Sequence, residues 1–475
     1  MGHDLRPYPE YKDSRLPWLG QIPAHWEVRR NGRLFAQRNE TGFSDLPILE
    51  VSLKTEVRVR DFENSARKQV MSDRAKYKRA AKGDIAYNMM RLWQGAVGVA
   101  PVDGLISPAY VVARPFPEVD TRYYAYLFRT EAYMAEVNQY SRGIVSDRNR
   151  LYWDEFKQMP SVFPLPAEQT AIANFLDEHG RQVRQLIRNK RRVIELLNDQ
   201  KQAVINLAVT RGLDSSVRMT DSGDSWLGEV PESWVVKPLK RWVAINARDL
   251  PESTGPGFAF RYLDIGSVGT GYLVEQPEIM RFAQAPSRAR RILRNGDTII
   301  STVRTYLKAV YFVSDEVDDL VASTGFAVLS PGPAVVPEFL SFVIQSNAFI
   351  DRVTAHSVGI AYPAIAETRL GAFHVALPPS EAEQQILLDH IKHETRELDV
   401  AIQSTRRELE LIHEYRTRLI SDVVKGKVDV RHLAPEAVEV TEDLEPLDEA
   451  EEFFEDELQD AADLEPVEEV VDADD

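Results

Sequence analysis

From residue 168 onward the apolar side chains of this 475-residue chain recur at spacings of three, four and seven: Ile172, Phe175, Leu176, Val183, Leu186, Ile187, Val193, Ile194 and Leu197. That is the period of one helical stripe. A second stretch repeats it with Leu387, Ile391, Leu398, Ile402, Leu409, Ile412 and Ile420. The two stretches, 168–214 and 383–429, align without a gap at a constant offset of 215 and share eleven identical positions. Glu168/Glu383, Gln169/Gln384, Arg191/Arg406, Arg192/Arg407, Glu195/Glu410, Leu196/Leu411 and Ile205/Ile420 are among them. Pro166 and Pro379 stand just ahead of the runs as helix-entry signals. About 43 residues at a rise of 1.5 Å make a helix of roughly 65 Å. Two such helices, each with one apolar stripe, pack most simply on each other as an antiparallel coiled-coil pair.

The segments between the helices show a strand-like pattern, and they too occur twice. WLGQIPAHWEV (Trp18 to Val28) returns as WLGEVPESWVV (Trp226 to Val236). KGDIAYNMMR (Lys82 to Arg91) matches NGDTIISTVR (Asn295 to Arg304), each a tight Gly-Asp turn leading into a short strand. ISPAYVVARP (Ile106 to Pro115) matches ASTGFAVLSP (Ala322 to Pro331), a strand-like run ending at proline. Duplication on this scale predicts an α+β protein with two similar globular domains separated by two long antiparallel helices, with approximate two-fold symmetry and the domains at opposite ends. The expected boundaries are 1–167 for the first domain, 168–213 for the first helix, 214–382 for the second domain and 383–428 for the second helix. In the repeated phrase, Gly20 and Pro23 suit a tight turn, and Trp18 and Trp26 suit a packing clamp, with stacking on a nucleobase as the alternative.

Composition changes this picture at one end. Hydrophobic residues are 44% and charged residues 28%, ordinary globular usage. No run of eighteen apolar residues occurs, the start is polar, and there is no cysteine. These features predict neither a membrane span, a signal peptide, a thiol nucleophile nor cysteine-held zinc. The net charge of −17 is concentrated: residues 434–475 hold 20 acidic side chains and no Lys or Arg, leaving 57 basic against 54 acidic, a net of +3, in the rest. Such a block repels itself and has little to bury, which predicts a disordered acidic tail. Phe453 and Phe454 leave a docking role open for it.

Positive charge gathers around each Gly-Asp turn. Residues 54–91 hold eleven basic and five acidic side chains, and residues 281–308 hold seven and one. Arg and Lys at this density neutralise phosphates, and Arg also reads guanine through a bidentate contact. The candidate DNA contacts are Arg58, Arg60, Lys78, Arg79 and Arg91 in the first domain, and Arg281, Arg288, Arg290, Arg291, Arg304 and Lys308 in the second. Arg148 and Arg150 join them on the polar stretch SRGIVSDRNRLYW. Catalytic signals are thin: no GxxxxGK[ST] phosphate loop, no HExxH metal pair, and no Asn-Pro-Pro-aromatic tetrapeptide of an amino-methyltransferase. Glu155-Phe156-Lys157 following Asp147 could imitate a nuclease triplet, but the second copy has Leu370-Gly371-Ala372 nearby instead. His390 and His393, three apart, are the one histidine pair with room for a shared face. No catalytic, cofactor-binding or metal-ligating residue is therefore assigned. A stand-alone nuclease or methyltransferase, and a coiled-coil scaffold without a DNA role, are the rival readings.

The order of these phrases, taken twice, resembles the specificity subunit of type I restriction–modification enzymes. The resemblance rests on WLGQIPAHW and WLGEVPESW, on KGDI and NGDTII, and on FPLPAEQTAIANFLDE and ALPPSEAEQQILLDHI opening the long helices. LLNDQKQAVINLAVTRGLD and LIHEYRTRLISDVVKGKVD close them. It covers about Ser14 to Asp429; the acidic tail is outside it. The resemblance implies two target-recognition domains that each read half of a bipartite double-stranded DNA site, with the helices as a ruler for the gap. It implies docking of two modification (methyltransferase) subunits and of restriction (translocase and nuclease) subunits. S-adenosylmethionine, ATP and Mg²⁺ then sit on those partners, with no cofactor and no catalysis on this chain, in the cytoplasm of a prokaryote.

Overall fold

The computed structural model describes residues 5–53, 56–60, 74–142, 149–314, 319–359 and 363–433. The acidic segment from 434 onward and Arg148 lie outside the described residues. The chain divides into two compact units, Met1–Lys190 with Arg407–Asp475, and Arg191–Arg406.

The uninterrupted periodicity folds as one helix, Pro166–Arg211, and its repeat as a second, Glu381–Val424. The first half of each belongs to one unit and the second half to the other. Within the first unit the start of the first helix, at Ile172, Phe175 and Leu176, shares a core with the end of the second, at Leu419, Val423 and Val424. Within the second unit Ile205, Ala208 and Val209 share a core with Leu387, Leu388 and Ile391. The helices are therefore antiparallel, as the stripes predict. Ion pairs edge the seam: Lys190 Nζ lies 2.5 Å from Glu408 in the first unit, and Lys201 Nζ donates to Asp399 at 2.6 Å in the second. The stripe is narrower than the periodicity suggests. Val183, Ile187, Ile391 and Ile402 are buried, but Val193 is exposed and Leu197 only partly buried, because one partner helix covers only a narrow seam.

Each unit repeats the same pair of sheets. In the first, strands Phe35–Arg38, Tyr110–Pro115, Ile85–Asn88 and Val97–Val99 lie in that order, all antiparallel. In the second, Val243–Ile245, Phe326–Pro331, Thr298–Ser301 and Val310–Phe312 repeat the order and the sense. A second sheet of unit two runs Glu278–Arg281, Ala259–Leu263, Leu320–Ser323, Ala289–Ile292, with its central pair parallel. Its counterpart in unit one is two hairpin-like pairs, Glu56–Val59 with Leu49–Ser52 and Gly104–Ile106 with Lys78–Ala80. A single parallel bridge, Ile48 to Leu105, joins them in the same place. The apolar runs Thr298–Ser301 and Leu320–Ser323 are buried at every position, which is why they read as continuous rather than alternating.

The Gly-Asp turns are structural locks. Gly83 and Gly296 both have φ of +88°, a conformation only glycine adopts cheaply. The aspartate that follows turns inward. Asp84 accepts from Arg38 Nε at 2.6 Å and from the Ala81 amide at 2.9 Å. Asp297 accepts from Arg248 Nη2 at 2.5 Å, the Arg294 amide at 2.8 Å and Ser330 Oγ at 2.6 Å. Both carboxylates are almost wholly buried, so each turn ties the entry of one strand to an arginine at or just beyond the end of another.

The repeated WLG phrase is a packing element. Trp26 is fully buried, edge-on to Tyr8 and Tyr123, and Trp18 sits edge-on to Tyr133 with ring centroids 5.5 Å apart. The phrase receives the end of a long helix. Gly426 sits so close to Pro23 and Trp26 that an added Cβ would lie 2.4 Å from Pro23 Cδ, and Gly212 approaches Trp234 in the second unit. The glutamate that opens the other helix ties in as well: Glu168 pairs with His25 Nε2 at 2.8 Å, and Trp234 Nε1 donates to Glu383 at 3.1 Å.

Candidate nucleic-acid interface

The strand that follows each Gly-Asp turn delivers an eight-residue loop, and these two loops correspond. In the first unit Ile85–Asn88 runs into a single 3-10 turn, Leu92–Gln94. Buried Leu92 anchors it, Asn88 Oδ1 accepts from the Met90 amide at 2.9 Å, and Gly95 leaves it in the left-handed region at φ +94°. Arg91 points outward, beside Met90 at 40% exposure and Trp93, whose Nε1 donates to the Met90 carbonyl at 2.9 Å.

In the second unit Thr298–Ser301 runs into the turn Thr305–Leu307. Arg304 and Lys308 flank it, both in the left-handed region at φ +54° and +52°. Lys308 stands where the first unit has Gly95. For a side-chain-bearing residue that conformation costs roughly 1–2 kcal/mol. It is held by the surroundings: the Arg304 amide donates to the Pro363 carbonyl at 2.8 Å, Thr270 Oγ1 donates to the Lys308 carbonyl at 2.7 Å, and Thr305 Oγ1 bonds Ser357 Oγ at 2.8 Å. Tyr306 is 40% exposed at the tip. Non-glycine strain maintained by neighbours marks a loop whose shape matters.

A second loop lies against each of these. The Leu151 amide donates to the Met89 carbonyl at 2.9 Å, and the Ile365 amide donates to the Thr302 carbonyl at 2.9 Å. In the first unit Arg142 and Arg150 exchange backbone hydrogen bonds of 3.0 Å in that second loop. Arg91 and Arg150, far apart in sequence, are thus carried on neighbouring loops, and both are exposed.

The remaining basic candidates fall into two groups. Five are engaged internally. Arg58 Nε donates to Glu50 at 2.7 Å, and Arg60 Nε lies 3.9 Å from the same carboxylate. Lys78 Nζ donates to the carbonyls of Pro108 and Tyr110 at 2.9 and 2.8 Å, and burial pulls its ammonium below the ordinary lysine range. Arg79 bridges Asp103 at 2.7 Å and Glu40 at 3.1 Å. Arg291 bridges Asp249 at 2.9 Å and Glu367 at 2.6 Å. The others reach solvent on the second sheet of unit two. Arg281 is exposed on the edge strand Glu278–Arg281, Arg288 is exposed with a 3.2 Å contact to Asp264, and Arg290 lies over the Phe282 ring at 4.8 Å. Sequence density alone marks all of them equally. The loops' left-handed residues, their aromatic tips and their neighbouring second loops carried no signal in the charge count.

The nuclease-like triplet does not converge. Phe156 is buried, Glu155 pairs with Arg142 at 2.5 Å and Lys157 with Asp154 at 2.6 Å; Asp147 lies outside the described residues. Among the described residues no three His, Asp or Glu side chains gather as a metal-ligand group, and no helix is long and apolar enough to cross a membrane.

No protein-family model matches the chain. It is 26% identical over 157 residues to the HindI type I restriction enzyme specificity subunit of Haemophilus influenzae, a match covering 31% of this chain and 34% of that protein. It is 24% identical over 288 residues to the MjaVIII specificity subunit of Methanocaldococcus jannaschii, covering 57% and 63%. A candidate MjaX specificity subunit of the same archaeon is 23% identical over 437 residues, 87% of this chain and 96% of that one. The chain thus spans about a third of the first of these relatives and under two thirds of the second. Its fold matches a solved chain from work on complex assembly and conformational transition of the type I R-M system, at a TM-score of 0.56 and 14% identity over 86% of this chain and 99% of that one. In sequence this chain is similar to specificity subunits of type I restriction enzymes, and in fold to a chain of a type I R-M system.

Proposed function

We propose that the chain is the DNA-reading specificity subunit of a type I restriction–modification complex, and that each unit reads one half of a bipartite site. The observation that supports this most is the duplicated loop: Arg91 with Trp93 and Arg304 with Tyr306 stand at corresponding places, each beside a second loop. Arg91 is exposed and Arg304 is partly buried; an arginine beside an aromatic ring offers one contact to phosphate or a base edge and one to a sugar or base face. Arg91, Arg150, Arg304 and Lys308 are the inner contacts, and Arg281, Arg288 and Arg290 extend the positive surface of the second unit. The five internally engaged cations shape the surface rather than touch DNA.

The chain itself performs no chemistry. Methyl transfer and cleavage belong to partner subunits, which carry S-adenosylmethionine, ATP and Mg²⁺, and the complex works in the prokaryotic cytoplasm. Two equivalent docking points for the modification subunit are supported by Leu196 and Leu411, identical positions of the repeat that leave leucine 50% and 48% exposed on the long helices. Mapping the methylated sites of a host with and without this chain tests the reading, since the target motif disappears with it. Inserting four residues near Ala203, about 6 Å of helix, lengthens the unread gap by roughly two base pairs of duplex. An unchanged gap removes the helices' role as a ruler. Methylation or cleavage of DNA by the purified chain alone, supplied with Mg²⁺ and S-adenosylmethionine, overturns the non-catalytic assignment.

A further inference from the structure

We infer that residues 434–475 are an intramolecular polyanion that occupies Arg91 and Arg150, the exposed cations on the two neighbouring loops of the first unit, until DNA displaces it. The inference rests on the DNA-reading function proposed above. Its chemical basis is charge. The segment carries 20 carboxylates in 42 residues with no Lys or Arg, and without it the net charge changes from −17 to +3. Extended chain advances at most about 3.4 Å per residue, so the carboxylates fall about 7 Å apart, against one phosphate per ~3.4 Å along a DNA strand. The segment is thus a polyanion of roughly half the linear charge of one strand.

Its root is fixed on the unit that carries those cations. The chain after the second helix pairs with the N-terminal segment, the Asp429 amide donating to the Arg6 carbonyl at 2.7 Å, and Leu433 packs against the first unit's core. From Leu433, 42 residues span at most about 140 Å, while a compact unit of about 200 residues has a radius of gyration near 16 Å. Every face of the first unit is within that length. Tethering raises the local concentration of the polyanion to about the millimolar range, so contacts too weak to hold a free peptide suffice.

The structure also says which cations are available. Lys78 and Arg79 are engaged by carbonyls and carboxylates of their own unit. Arg91 and Arg150 are exposed and form no ion pair among the described residues. Random duplex, held by charge alone, competes with the tail on equal terms. Target duplex adds base contacts the tail cannot supply. Because the tail must leave before either duplex binds, it lowers both affinities by the same factor: the ratio between target and random duplex is kept, and occupancy of random duplex at a given concentration falls.

Fluorescence anisotropy with random-sequence and target duplexes tests this. It compares the full chain, a chain ending at Leu433, and a full-length chain with the Asp and Glu of 442–457 changed to Asn and Gln. At about 50 mM salt both variants bind random duplex about tenfold more tightly than the full chain, and the difference shrinks toward about 200 mM. Affinity for target duplex rises by a similar factor. Equal affinity of all three forms for random duplex at low salt overturns the inference. So does an undiminished gain from tail deletion in an Arg91→Ala/Arg150→Ala background, because the tail then acts by general repulsion rather than at these cations. If no form binds any duplex, alone or with modification subunits, it is the DNA-reading function that fails.

Discussion

Gln169 and Gln384, 215 positions apart, close the same hydrogen-bond circuit in the two units. Gln169 accepts from the Asp120 amide at 2.9 Å and donates to the Pro164 carbonyl at 2.9 Å. Gln384 accepts from the Val336 amide at 2.8 Å and donates to the Pro378 carbonyl at 2.9 Å. Both side chains are fully buried. Each fastens the first turn of a long helix to the backbone ahead of a short helix of its globular domain.

Gln169→Leu therefore strands a buried amide and a buried carbonyl, at about 1–3 kcal/mol per group. The expected loss is about 2–4 kcal/mol in urea denaturation, with a similar loss for Gln384→Leu. A cost below about 0.5 kcal/mol at both positions would show that water replaces the circuit.

Asp84→Ala leaves Arg38, nearly buried, with Glu40 as its remaining counter-charge at 2.6 Å. Removing one member of a buried pair costs about 3 kcal/mol or more. Asp297→Ala costs less, because Arg248 is more exposed than Arg38, with side-chain exposures of 26% against 12%. Equilibrium unfolding of the two variants should rank in that order.

The closure of the first unit is acid-labile. The hydrogen bond from Arg431, followed by the Arg431 backbone amide and charge, holds the Asp429 carboxyl below its ordinary value against the opposing effect of burial. A carboxylate with a depressed folded-state pKa contributes above the unfolded value of about 3.9, and the contribution fades as pH falls through the lower folded value. Urea midpoints of the wild-type chain and Asp429→Asn should differ at pH 7 and converge as pH falls below about 4. A gap that is constant from pH 7 to 3 would refute this linkage.

Lys308→Gly separates strain from function. Glycine adopts φ +52° without the side-chain penalty, as Gly95 does in the first unit at +94°. Thermal stability should rise, by up to about 1 kcal/mol. DNA affinity should fall, and the slope of log affinity against log salt should drop by about 0.9 if the ammonium meets a phosphate. Arg91→Ala and Arg150→Ala should lower the same slope without changing stability. Arg291→Ala should do the reverse, since its guanidinium is spent on Asp249 and Glu367.

What the sequence determined by itself is what repeats locally. The 3.6-residue stripes specify the two long helices because helical hydrogen bonds and stripe neighbours lie within four residues. The Gly-Asp turns specify strand entries because the glycine's φ and the aspartate's bond to the amide three residues earlier are local. The duplicated phrases reveal the repeat without any structure. Tertiary structure decided everything that joins distant residues. Arg79 and Arg91 read alike in a charge count, yet Arg79 meets Asp103 across 24 positions and Arg91 meets solvent. Arg291 is engaged by Glu367 across 76 positions while Lys308 remains exposed. A cation's availability depends on which carboxylate the fold brings within about 3 Å, and short-range periodicity carries no record of that distance.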